Sequence, residues 1–92
     1  MAMADTNPVT LYTTEPCGFC QAAKSLLQER GIGYREVNLA RDPTGRAGLR
    51  ELTGQMTFPQ LLIGKRPIGG FRELLALDRD GSLQALLALR AG

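Results

Sequence analysis

Cys17 and Cys20 are the only cysteines of a 92-residue chain, and they stand three positions apart in "TTEPCGFCQAAK". Such a pair could staple the fold, contribute to a metal site or exchange disulfides with another thiol. As a staple it would contribute little: closing a four-residue loop is worth roughly 2 kcal/mol in the chain-entropy model, and stapled secreted domains use wider spacing and more cysteines. As a metal site it is incomplete, because the chain has no histidine and two thiolates cannot close a four-thiolate site. Any metal held here would need ligands from a second chain or from a small thiol. The absence of histidine also excludes a Ser-His-Asp or Cys-His arrangement and an imidazole base. In a reducing compartment, the remaining reading is a reversible redox couple.

The flanking sequence must then place the two sulfurs differently. "NPVTLYTT" is β-branched and aromatic and predicts a strand from about Val9 to Tyr12, bounded by Pro8 and by Glu15-Pro16. "CGFCQAAKSLLQERG" predicts a helix stopped by Gly31, with Phe19, Ala23, Leu26 and Leu27 at helical spacing and Cys20, Ala23 and Leu27 on a shared apolar side. Cys17 therefore falls at a helix N-terminus, where unpaired N–H groups and the helix dipole favour thiolate and can bring a cysteine pKa to between about 3.5 and 7.5. It is the candidate nucleophile. Cys20, one turn along and on the buried side, is the candidate resolving thiol. Glu15 opposes this arrangement by adding a negative charge nearby.

Further along, "IGYREVNLA" predicts a strand over about Tyr34 to Leu39, and "DPTGRAGLRELTG" a short helix over about Thr44 to Leu52, with Leu49 and Leu52 inward and Gly54 as its stop. "FPQLLIGKRPIGGF" reads as two strands, Gln60 to Ile63 and Pro67 to Gly69, joined by a turn at Gly64 and Lys65. Two closing helices break at Asp80-Gly81, with Ser82 as N-cap of the second. A crossover makes the first two strands parallel and the short turn makes the last two antiparallel. The expected fold is an α/β sandwich, a mixed four-stranded sheet flanked by helices in the order β-α-β-α-β-β-α-α.

Composition sets the outer limits. An apolar share of 43% against 22% charged residues suits a globular domain. The net charge of +2 is too weak for a nucleic-acid footprint, and Lys65-Arg66 reads as an exposed turn. The longest uncharged apolar run, Leu61 to Ile63, is too short to span a bilayer, and "MAMADTNP" lacks the features of a signal peptide. We expect a disordered lead over residues 1–8, a single domain over residues 9–92, a cytoplasmic location and, without a coiled-coil pattern, a monomer.

The sequence resembles a glutaredoxin of the thioredoxin fold over Val9 to Leu89. "LYTTEPCGFC" is similar to the family's strand and active-site segment, "MTFPQLLIG" to its Thr-x-Pro segment, and "IGGFRELLALDRDGSL" to its closing glycine pair and helices. The resemblance implies a glutathione-dependent thiol–disulfide oxidoreductase, of dithiol type, acting on disulfide-bearing or glutathionylated proteins. It implies that Pro59, following Thr57 and Phe58, is cis and holds the Phe58 backbone open to a peptide-like substrate. It implies that Gly69 and Gly70 let a ligand approach, and that the N–H groups of Phe71 and Arg72 bind the γ-glutamyl carboxylate of glutathione. Phe19 would flank the thiol groove. Read from the residues alone, Pro59 also suits a strand start, the glycines a turn before a helix, and Phe19 the core.

Three positions depart from the family's pattern. Thr14 stands where the family commonly has a lysine or arginine, Met56 where it often has an arginine, and Arg72 where it has an acidic or small polar residue. "GFR" is also similar to redoxins that serve ribonucleotide reductase and are recharged by thioredoxin reductase, a flavin disulfide reductase. "YTT" before a C-G-aromatic-C site resembles mycothiol-dependent mycoredoxins. "CGFC" resembles the C-G-F-S site of monothiol relatives, which implies a further capacity to hold a [2Fe-2S] cluster through Cys17 of each of two chains and two external thiols.

Overall fold

The computed structural model describes residues 9–91; the expected lead over residues 1–8 lies outside them. Strand β1 (Val9–Thr13) leads into helix α1 (Gly18–Glu29), followed by β2 (Arg35–Asn38), α2 (Pro43–Thr53), β3 (Gln60–Ile63), β4 (Arg66–Gly69), α3 (Phe71–Asp80) and α4 (Ser82–Ala91). The four strands form one sheet in the order β2-β1-β3-β4. β1 runs parallel to β2 and antiparallel to β3, and β3 runs antiparallel to β4, as the crossover and the tight turn require.

Strand alternation distributes the core between two faces. Val9 and Leu11 of β1, with Leu61 and Ile63 of β3, pack against Ala23 and Leu27 of α1, Leu74 of α3 and Leu83 of α4. On the opposite face Leu62 packs with Leu39 and with Leu49 of α2. All four residues of β3 are buried because both faces of this central strand are covered. Each of these leucines contributes about 1.5–3 kcal/mol by leaving water.

Two sequence expectations are corrected. Leu52 is exposed, not inward: Leu49 occupies the core position of α2, and three residues further turns the side chain about 60° away from it, at the end of the helix. Ser82 is the first residue of α4 and not its N-cap; its N–H donates to Oδ1 of Asp80 at 2.8 Å. Asp80 is held below the ordinary carboxylate value by hydrogen bonding from Ser82. Gly54 does stop α2, in the left-handed conformation at φ 74° that favours glycine.

Register positions the future site. Thr13 lies opposite Asn38, which brings the end of β2 beside the loop that enters α1. Leu61 lies opposite Gly69, which brings the start of α3 beside the segment before β3. Far from both, Arg30 at the end of α1 makes a two-pronged ion pair with Asp78 near the end of α3, at 2.8 and 3.0 Å. It ties the C-terminal end of α1 to that of α3.

Candidate active site

Cys17 is the N-cap of α1, with the extended backbone (φ −157°, ψ 101°) expected there. Its sulfur accepts the N–H of Cys20 at 3.1 Å, the bond that a serine or aspartate oxygen makes at other helix starts. The two sulfurs form a disulfide, with Cα atoms 5.3 Å apart. Cys20 is 1% exposed and sits over Leu27's side of the helix, whereas Cys17 is half-buried. The asymmetry that the helix pattern predicts is therefore present. No acidic residue lies in the first turn of α1, and Glu15 is turned to Asn38, whose Nδ2 donates to its carboxylate at 2.8 Å.

The loop before β3 supplies the facing wall. The Phe58–Pro59 peptide is cis, as the family resemblance implies, and the Phe58 carbonyl oxygen stands 3.9 Å from the Cys17 sulfur. Glu15–Pro16 is cis as well, which nothing in the sequence reading indicated. Gln60, itself 2% exposed, anchors this loop: its Nε2 donates to the Thr57 carbonyl at 2.9 Å and to the Thr57 hydroxyl at 3.1 Å. Its Oε1 is buried with no hydrogen-bond partner among the described residues.

The third wall is the start of α3. Gly69 has φ 127°, a conformation in which a side chain would be strained, and a Cβ there would lie 2.7 Å from Glu73 Cγ. Gly70 comes so close to the loop that a Cβ would stand 3.2 Å from the Pro59 carbonyl oxygen. Gly70 donates its N–H to Glu73 Oε1 at 2.8 Å, and α3 then opens with Phe71 and Arg72. Phe71 stacks on Phe19 at a ring-centroid distance of 5.9 Å and 27° between planes.

These walls enclose a groove of about 730 Å³, within the range of small-molecule sites. Phe19, Thr57, Phe58 and Pro59 line it on one side, and Gly69, Gly70, Phe71 and Arg72 on the other. Cys17 meets it through its contact with Phe58. Thr14, half-buried in the loop after β1, is not part of its lining. Neither is Met56, which is 64% exposed and lies with Pro43, Arg46 and Arg50 of the α2 region. Gln55 lines the groove instead, and the sequence reading missed it together with Gln60 and Glu73. For Glu73 a signal was available: an acid at the third position of a helix commonly reaches back to its cap.

The perturbed carboxylates, Asp78 and Asp80, lie outside the groove, so its electrostatics come from helix ends and from Arg72 and Glu73, which carry opposite charges. Two helix N-termini, each with unpaired N–H groups and a partial positive charge, border one apolar cleft with a sulfur pair at its edge. Such a site can stabilise a thiolate and hold a carboxylate-bearing thiol beside it.

Comparison with known proteins agrees. The glutaredoxin family model matches residues 9–68. A glutaredoxin of Pseudomonas aeruginosa is 43% identical over 81 residues, covering 88% of this chain and 96% of that protein. Glutaredoxin 3 of Escherichia coli is 37% identical over 79 residues, covering 86% and 95%. Among solved structures, the buckwheat glutaredoxin–glutathione complex superposes with a TM-score of 0.84 at 32% identity, covering 92% of this chain and 80% of that one. The solution structure of glutaredoxin from Brucella melitensis gives 0.77 at 39% identity, covering 86% of each.

Proposed function

This chain belongs to the glutaredoxin family and is a small glutathione-dependent thiol–disulfide oxidoreductase, and from that premise we propose that Cys17 is its nucleophile and Cys20 its resolving thiol. The observation that carries the assignment is the Cys20 N–H aimed at the Cys17 sulfur at a helix N-terminus, with Cys20 itself buried. An N–H donor and a helix dipole stabilise negative charge on one sulfur only.

The Cys17 thiolate attacks one sulfur of a disulfide. A Cys17 mixed disulfide forms, the old S–S bond breaks, and the departing thiolate takes the electron pair and a proton from solvent. With a glutathionylated protein the glutathione half stays on Cys17, and a second glutathione thiolate releases it as glutathione disulfide. With a protein disulfide, Cys20 loses its proton and attacks Cys17, which frees the reduced protein and leaves the Cys17–Cys20 disulfide seen here. Glutathione lies in the groove, its γ-glutamyl carboxylate on the N–H groups of Phe71 and Arg72, its backbone along Phe58, and its cysteine toward Cys17. Gly69 and Gly70 leave the room, Pro59 and Thr57 hold Phe58 in place, and Phe19 forms a flank. Thr14, in the loop after β1, carries a hydroxyl in place of the family's cation.

Glutathione is favoured as the recharging thiol over mycothiol or a flavin disulfide reductase because the relatives at 37% to 43% identity are named glutaredoxins. Couples of this class work near −200 to −230 mV, which suits a cytoplasmic glutathione pool, and the proposed carrier is a monomer. Among the described residues no helix is long and apolar enough to cross a membrane. A [2Fe-2S] cluster held within one chain does not fit this donor set: no three His, Cys, Asp or Glu side chains converge among the described residues, and Cys20 is sealed in the core. A cluster would need a second chain's Cys17 and two external thiols.

The test is NADPH-coupled reduction of a small mixed disulfide, with glutathione and glutathione reductase in one assay and thioredoxin reductase alone in the other. Turnover only with glutathione is expected. Turnover only with thioredoxin reductase would overturn the glutathione site.

A further inference from the structure

We propose that Gln60 is a positioning residue for the reaction: its buried amide holds Thr57, and through Thr57 the Phe58 backbone along which glutathione lies. The inference rests on the reading that glutathione pairs with Phe58 and that its sulfur meets Cys17, and it gives a role to a side chain that the exchange itself does not use.

Gln60 opens β3, the central strand, and is 2% exposed. Strand alternation puts it on the face of Leu62, where an apolar side chain would be the ordinary occupant. Its partners dictate how the amide is turned. The Thr57 carbonyl oxygen can only accept, so Nε2 must face it, and both hydrogens of Nε2 go to Thr57, at 2.9 Å to the carbonyl and 3.1 Å to the hydroxyl. Turning the amide over would set oxygen against oxygen. In the orientation that remains, Oε1 is cut off from solvent, and no donor among the described residues reaches it.

Such an arrangement does little for the stability of the fold. Thr57 is exposed, so water could serve its carbonyl and hydroxyl if the amide were absent. The two bonds therefore replace bonds to water and add little net, whereas sealing Oε1 away without a donor costs free energy outright. What the amide supplies is place. Two bonds from one planar group tie Thr57 to the start of β3, and Thr57 is joined directly to Phe58, whose carbonyl oxygen is 3.9 Å from the Cys17 sulfur. Water would satisfy Thr57 in many positions, and the amide satisfies it in one. A buried polar group that lowers stability while fixing the wall beside a reacting sulfur is the mark of preorganisation.

The experiment reads this as a ratio of two rates. The reduced Cys20→Ser protein, with and without Gln60→Met, is mixed with two 2-thiopyridyl disulfides, one of glutathione and one of 2-mercaptoethanol. In each case the Cys17 thiolate bonds to the alkyl sulfur, the S–S bond breaks, and pyridine-2-thione leaves with the electron pair. Only glutathione has a backbone to lay along Phe58. Its second-order rate constant is expected to fall about three- to tenfold in Gln60→Met, as for one or two lost hydrogen bonds, while the 2-mercaptoethanol rate holds. The thermal midpoint should stay level or rise, because methionine fills a similar space and brings no unpaired acceptor. Gln60→Leu should give the same ratio, which guards against a packing fault peculiar to methionine. An unchanged ratio, or a fall of both rates together with the midpoint, would overturn the positioning role and leave Gln60 a structural residue. The protein that keeps Gln60 separates the two readings. If it reacts equally fast with both disulfides, the pairing of glutathione with Phe58 is overturned and the positioning role with it; if it reacts with neither, Cys17 is not the nucleophile.

Discussion

The Cys20 N–H donates to the Cys17 sulfur, so the proposed nucleophile is also the cap of the first helix. Serine keeps a capping acceptor at position 17 and alanine does not. The Cys17→Ala protein should therefore unfold at lower urea than Cys17→Ser, by about 1 kcal/mol of stability, although both lack the disulfide and both are inactive. Equal midpoints would show that the bond contributes nothing to the fold.

Activity should divide between the two cysteines. Cys17→Ser should lose all turnover. Cys20→Ser should keep glutathione-coupled reduction of a small mixed disulfide and lose reduction of a protein disulfide, measured by NADPH consumption with each substrate. Retention of protein-disulfide reduction without Cys20 would remove it from the resolving role.

The glycine pair separates binding from folding. In Gly70→Ala a Cβ would press on the Pro59 carbonyl oxygen at 3.2 Å, so KM for the glutathione mixed disulfide should rise several-fold while the thermal midpoint moves little. Gly69→Ala meets both a φ of 127° and Glu73 at 2.7 Å, and should lower stability by about 1–3 kcal/mol. Thermal melts and steady-state kinetics on the two proteins would show whether the order holds.

Acid should loosen the far end of the molecule. The Arg30 guanidinium, through its hydrogen bond and then its charge, holds the Asp78 carboxyl below its ordinary 3.8, against the opposing effect of burial. A folded value below the unfolded one contributes stability that is complete above 3.8 and is lost as pH falls through the folded value. Urea midpoints taken from about pH 5 to about pH 2.5 should fall less steeply in Asp78→Asn than in the parent. Parallel curves would assign the acid sensitivity elsewhere, with Asp80 the next carboxylate to replace.

Much of this architecture is written in local pattern. The β-branched run at Val9, the apolar spacing of Cys20, Ala23 and Leu27, and the Gly64-Lys65 turn all act within a few residues, and the corresponding elements stand where expected. The family resemblance located the two walls at Phe58–Pro59 and Gly69–Gly70, although neither follows from spacing. What was not legible depends on neighbours distant in sequence. Glu15 is oriented by Asn38, 23 residues on, and that contact exists because Thr13 and Asn38 share a register. Gln55 rather than Met56 enters the groove because the turn after Gly54 sets which side chain faces inward. Leu52 looked like core because one-dimensional periodicity does not say which of two apolar positions on a helix the neighbouring elements cover.

Cys20 is sealed in the core while Cys17 is only half-buried, so a reagent approaching from solution meets one sulfur per chain. Peroxide chemistry would accordingly begin at Cys17, and a sulfenic acid formed there has a thiol already beside it. Condensation with Cys20 expels water and closes the same disulfide that ordinary turnover leaves, before a second oxidation can reach the irreversible sulfinic stage. The buried partner thus serves as a built-in guard for the exposed one, returning accidental damage to a state from which glutathione can recover the protein.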